Sequence, residues 1–256
     1  MNAMTKHPGA LVTRQFLLPF VLVTSLFFLW GVAHSLLDVL NKHFQDILGI
    51  TKARSGLVQA ALYGGYFIMA IPAGLFMSRF GYRKGIITGL LLYAAGAFLF
   101  WPATFIQTFE FTLLSLFVIA CGLTFLETAA NPYSSVLGPK ETSEQRLNLS
   151  QSFNGLGWII GPALGGMLIL GGNGTGSTNS FSSMALPYML IGGVVLVVAF
   201  MFVITRMPDI HEGEHNSHGD SGTYRGLFRV KHFRYAVVAQ FLYVAAQTGI
   251  NSFFIN

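Results

Sequence analysis

Seven stretches of this sequence, near 16–40, 56–78, 85–103, 111–133, 149–170, 185–205 and 235–256, stay apolar for about the 20 residues that a helix needs to cross a bilayer. Turn and breaker signals separate them: Gly81-Tyr82-Arg83-Lys84, Trp101-Pro102, Gly138-Pro139 and the run GGNGTGSTNS (171–180). Composition agrees. Hydrophobic residues make up 53% of the 256 positions and charged ones only 10%, where a soluble domain carries about a quarter charged. The apolar residues occur all round each presumptive helix, so amphipathic periodicity is weak. The first run is too long and too poorly flanked for a cleaved signal peptide. The expected fold is an all-α, polytopic membrane helical bundle.

Lys and Arg in the connections set the orientation. With a cytoplasmic N-terminus, twelve of the fifteen fall inside and only Lys42, Lys52 and Arg54 outside. The net charge of +5 then reflects topology, and no nucleic-acid partner is needed to explain it. Cys121, the single cysteine, lies inside a span and provides no disulfide framework. Three regions are expected: a six-helix bundle over 1–205, a polar cytoplasmic linker over 206–234 that holds most of the histidines, and a seventh helix over 235–256. That last run stops without a basic or aromatic anchor, which reads as the start of an incomplete second bundle in a fragment of a longer protein.

Two carboxylates fall within spans. Asp38 lies in WGVAHSLLDVLN (30–41), and Glu127 follows a nearly unbroken apolar run from Phe111 and precedes Asn131-Pro132 by one turn. On insertion scales a carboxylate at the centre of a membrane helix costs roughly 2.5–3.5 kcal/mol. Asp38 has a plain alternative, a place at the outer interface beside Asn41 and Lys42. Glu127 does not, because its nearest basic residue in sequence is Lys140. It needs a partner on another helix, a water-filled cavity or a proton. Lost hydration favours a neutral acid and makes protonation depend on the side the site faces, which is what a proton carrier requires. His34, one turn before Asp38, is placed either to tune that carboxylate or to make a simple interhelical bond.

The two acids sit in related places. Each is followed about one turn later by an asparagine, Asn41 or Asn131, on the same helical side. Each also lies in the first helix of a group of three, the arrangement that 3+3 inverted-topology repeats would produce.

The stretch GLFMSRFGYRKG (74–85) resembles the loop signature between the second and third helices of the major facilitator superfamily, Gly-x-x-x-Asp-Arg-x-Gly-(Arg/Tyr)-(Arg/Lys)-(Arg/Lys). Gly74, Arg79, Gly81, Arg83 and Lys84 match, and Ser78 stands where the acid is usual. FLETAANPYSSVLGP (125–139), RLNLSQSFNGLG (146–157) and VVAQFLYVAAQTG (237–249) look like the fucose permease branch, as do FFLWGVAHSLLDVLN (27–41) and IITGLLLYAAGAFLFWPA (86–103). The resemblance covers the N-terminal half and seventh helix of a twelve-helix family. It implies proton-coupled sugar symport by alternating access in the inner membrane, with no cofactor and sodium as the other possible coupling ion. By resemblance, Asp38 and Glu127 are the coupling acids, Gln151 and Asn154 face the cavity, and the 74–84 loop takes part in gating. His34 and Ser35 replace two adjacent amides of the family, which leaves fucose, glucose, galactose and an N-acetylated hexosamine open.

A sugar needs many neutral hydrogen-bonding groups and an aromatic face. Gln59, Tyr63, Gln151, Asn154, Trp158, Gln240, Tyr243 and Gln247 are of the right kinds; the plain alternative is helix–helix glue or an interfacial belt. Other motifs carry less. HEGEH (211–215) satisfies His-Glu-x-x-His, but Pro208 precedes it and Gly213 interrupts it, so neither a helical metal site nor an enzyme is expected. GGNGTG (171–176) follows a span without opening a helix and reads as a loop. Gly157-x-x-x-Gly161-Pro162-x-x-Gly165-Gly166 resembles the end of the fifth-helix signature of proton-linked drug antiporters, although close packing explains the spacing equally well. Antiport and a transport-inactive membrane remnant are therefore the alternatives. A retinal protein would need a lysine in the last span, and an intramembrane aspartyl protease a Gly-x-Gly-Asp; neither occurs.

Overall fold

The computed structural model describes residues 11–48, 51–167, 182–205, 207–208, 226 and 229–254, with the side chains of 37–48, 52–53, 182–184 and 248–254 left aside. GGNGTG, HEGEH and nearly all of the 206–234 linker lie outside the described residues. Those described fold into helices: α1 (Leu17–Leu48), α2 (Lys52–Phe80), α3 (Tyr82–Phe98), α4 (Phe100–Ile106), α5 (Phe109–Val136), α6 (Ser143–Gly165), α7 (Ser182–Ile204) and α8 (Lys231–Phe254). The chain divides into two compact units, Met1–His211 and Glu212–Asn256. The first holds α1–α7, and the second holds α8.

Trp101-Pro102 was expected to end the third span, but the helical course runs on to Ile106. Pro102 falls in the first turn of α4, where its missing N–H has no helical acceptor to lose. The stop comes instead at Gln107, which takes a left-handed conformation (φ 52°) and donates its N–H to the Ala103 carbonyl at 2.9 Å. At the α2–α3 junction Gly81 has φ 84°, a region that disfavours any side chain, and its N–H caps Met77 at 2.8 Å. Thr51 opens α2 by accepting the Arg54 N–H on its side chain.

Five described segments are long and apolar enough to span a membrane by length and composition: Arg14–Leu36, Arg54–Phe80, Tyr82–Ile106, Phe109–Val136 and Ala185–Ile204. Seven were expected; the other two, over α6 and α8, run at one end into residues outside those described. The span expected at 149–170 ends in Leu168-Ile169-Leu170, which lie outside the described residues.

Packing follows a repeat. The first helix of each group of three lies on the second helix of the other, α1 on α6 and α5 on α2. Equivalent helices also meet, α1 with α5 and α3 with α7. These pairings are what a two-fold relation between α1–α4 and α5–α7 produces. Small residues let the backbones approach, because lipid offers no hydrophobic drive between helices. A Cβ on Gly157 would stand 2.5 Å from the Phe28 carbonyl, and one on Gly31 would collide with that of Asn154. Gly122 meets the α3 backbone at Gly89 and Tyr93, and Gly65 meets Ala120. Gly157 and Gly161, read above as an antiporter-like motif, form the α1–α6 seam, Gly161 lying against Ser35.

The end of the bundle where α1 begins is tied by arginines. Arg146 is fully buried. It donates to the Ser134 carbonyl (3.1 Å) and the Ser135 carbonyl at the end of α5, and to Pro139 (2.9 Å), Leu11 (3.0 Å) and Thr142 Oγ1 (2.8 Å). A cation at a helix C-terminus satisfies carbonyls with no partner along the chain and opposes the negative end of the dipole. Arg83 does the same for α7, donating to the Val203 carbonyl at 2.7 Å and to Phe202.

Candidate functional site around Glu127

Glu127 projects from α5 one turn before Asn131 and is half-buried. The Tyr66 side chain of α2 stands beside its carboxylate. Tyr66 in turn accepts the Trp30 indole N–H of α1 at 2.9 Å. That bond uses an oxygen lone pair and leaves the phenol hydrogen available to the acid beside it. Among the described residues no cation pairs with Glu127. A gap of about water size, lined by Phe27, Trp30, Leu126, Glu127, Ala130 and Asn131, opens beside it between α1 and α5.

His34 stands one turn past Trp30. Its ring lies edge-on to Trp30 and to Tyr66, with centroids 5.6 Å away in each case, and 6.1 Å from Trp158. Its Nδ1 is 3.2 Å from the Trp30 carbonyl, which requires the hydrogen on Nδ1 and leaves Nε2 of the neutral ring as an acceptor. The expected His34–Asp38 pair lies outside the described residues, because the Asp38 side chain is among those left aside. Ser35 is buried and turns away from this cluster, donating to Val32 at 3.0 Å and Gly157 at 3.4 Å in the α1–α6 seam.

α6 adds the amides. Gln151, Asn154 and Trp158 share a helix face at i, i+3 and i+7. Gln151 Nε2 donates to Asn131 Oδ1 at 3.3 Å, which joins α6 to α5 one turn from Glu127. Asn154 Nδ2 donates to the Phe27 carbonyl at 3.1 Å, which fixes α6 against α1. Asn131 itself donates to the Glu127 carbonyl at 3.1 Å. On α2, Gln59 is half-buried and Tyr63 is 40% exposed. On α8, Gln240, Tyr243 and Gln247 share one face at i, i+3 and i+7.

The loop residues behave as packing and capping groups. Arg79 and Lys84 place their cations over the Phe80 ring, at 5.4 and 5.9 Å. Ser78, where the family motif has an acid, donates to Leu75 of its own helix. Nothing lies within 4 Å of a Cβ built on Gly74.

Sequence reasoning passed over Trp30, Tyr66 and Arg146 as functional or structural centres. The signal for the first two was present. Trp30 extends the His34–Asp38 face back by one turn, and Tyr66 lies one turn beyond Tyr63. A carboxylate, a phenol, three amides and the faces of His34, Trp30 and Trp158 therefore converge from α1, α2, α5 and α6. Such a set can hold and release a proton and meet the hydroxyls and CH face of a small polyol.

The family model for the Major Facilitator Superfamily matches residues 16–256. The chain belongs to that superfamily. Within it, the chain is 43% identical over 275 aligned positions to the L-fucose-proton symporter of Escherichia coli strain K12, covering 100% of this chain and 62% of that protein. It is 36% identical over 239 positions to the glucose/galactose transporter of Brucella abortus, covering 91% of this chain and 57% of the relative. The crystal structure of the superfamily transporter FucP in the outward conformation superimposes with a TM-score of 0.75 at 43% identity, over 92% of this chain and 61% of that one. The chain thus spans about three fifths of the length of these relatives. The fold is that of a superfamily N-terminal six-helix half with one further helix.

Proposed function

We propose that this chain forms the N-terminal bundle and seventh helix of a sugar–proton symporter of the inner membrane, with its N-terminus cytoplasmic, residues 206–234 as a cytoplasmic linker and α8 as the start of a second bundle. The substrate is a hexose or 6-deoxyhexose of the fucose, glucose or galactose kind, moved by alternating access. The observation that carries this reading is the half-buried Glu127 beside Tyr66, next to an α6 face whose Gln151 and Asn154 are tied to α5 and α1. The water-sized gap at Glu127 suits delivery of a proton, and the exposed Gln151, Tyr63 and Trp158 are of the kinds that a pyranose needs. The names of the similar proteins, fucose-proton symporters and glucose/galactose transporters, support the same class and a proton as the coupling ion. Asp38 is proposed as the second coupling acid. Of the two positions that depart from the family's amides, His34 rather than Ser35 is the one placed to alter sugar preference.

The test is Glu127→Gln in the protein at the full length of its relatives. Sugar-driven alkalinisation of the medium should disappear while exchange of labelled sugar across the membrane continues. Proton-coupled uptake at the unsubstituted rate would refute the assignment of Glu127, and uptake that follows sodium at fixed pH would refute the choice of ion.

A further inference from the structure

We infer that the interior of the bundle binds one water molecule, held between the hydroxyls of Tyr93 on α3 and Tyr188 on α7. Both side chains are buried, at 1% and 4% exposure. Among the described residues neither hydroxyl has a hydrogen-bond partner. Both tyrosines line one small void, whose other walls are apolar side chains including Ala33, Leu62, Leu116 and Ile191. That void has room for about one water.

Neither ring is free to look elsewhere. Tyr188 stacks flat on Phe100, with centroids 3.7 Å apart and planes within 2°. The Tyr93 backbone is pressed against α5 so closely that a Cβ on Gly122 would come within 2.5 Å of its nitrogen. Two fixed hydroxyls in an apolar chamber carry the desolvation penalty of unpaired polar groups unless something small and hydrogen-bonding joins them. The ligand must be neutral, since no charged side chain lines the void and two phenol oxygens are too few to replace the hydration of a metal ion. Water fits, accepting from one phenol and donating to the other. Because α3 and α7 are the equivalent third helices of the two repeats, this water would tie the repeats together at their mutual contact.

The experiment is a double-mutant cycle read as the thermal midpoint of the detergent-solubilised chain, with a density map that resolves ordered water. Tyr93→Phe and Tyr188→Phe should each lower the midpoint by about 2–4 °C, since each leaves the other hydroxyl half-satisfied. The double variant should fall no further than the worse single one, because an apolar pair leaves no polar group unpaired. A peak within hydrogen-bonding distance of both phenol oxygens completes the case. Additive losses overturn the inference, as does a map in which the two hydroxyls bond directly with no peak between them.

Discussion

At Tyr66 the phenol oxygen accepts from the Trp30 indole, and its hydrogen stays available to the Glu127 carboxylate beside it. A hydrogen bond to a charged group contributes about 1.5–3 kcal/mol, enough to bias which protonation state of the acid is held. Tyr66→Phe keeps the ring against His34 and removes only this oxygen. The expected outcome is a folded protein whose coupled uptake falls at least tenfold and whose pH profile is displaced from that of the unsubstituted chain. A superimposable profile would mean that the phenol has no part in coupling. Tyr63, one turn away and 40% exposed, is the natural comparison, and its substitution by Phe should leave the pH profile in place.

Among the elements, the α1–α6 pair bears most directly on the site, since it carries Trp30 and His34 on one side and Gln151, Asn154 and Trp158 on the other. Its seam is closed by glycines, so the two backbones and the groups they carry sit in one register. Gly157→Ala would put a methyl 2.5 Å from the Phe28 carbonyl, an overpacking that costs about 1–3 kcal/mol. Gly155 lies half a turn away with nothing within 4 Å. Gly155→Ala should therefore be neutral or stabilise the helix by up to about 1 kcal/mol. Opposite shifts of the two thermal midpoints check the seam, and equal shifts would show that it is not closed by contact. Arg146 secures the same helix pair's neighbour, binding the last carbonyls of α5 from the first turn of α6, and so holds Asn131 within reach of Gln151.

For the whole molecule, alternating access in folds of this kind rocks one six-helix bundle against another around a shared site. These 256 residues contain one such bundle and α8, and they span 62% of the Escherichia coli relative. Vesicles containing residues 1–256 alone are expected to show no proton-driven accumulation of labelled hexose above empty vesicles. Co-expression of the helices that complete the length of the relatives should restore it. Accumulation by residues 1–256 alone would show that they suffice, for example by pairing with a second copy.

How much of this was legible in sequence follows from what is local and what is not. The length of an apolar run and the oddity of a carboxylate within one are properties of neighbouring residues, so the helices and Glu127 could be placed before any fold was known. The motif residues likewise pointed to the superfamily, and that resemblance implied that Gln151 and Asn154 face the cavity. The partners of those residues were decided only by packing. Tyr66 rather than Tyr63 meets Glu127, Ser35 is spent in a seam, and Arg146 is buried on carbonyls from three segments. Periodicity states which residues share a face, but which face meets which helix depends on how closely two backbones can approach. Here that was set by pairs of glycines distant in the chain.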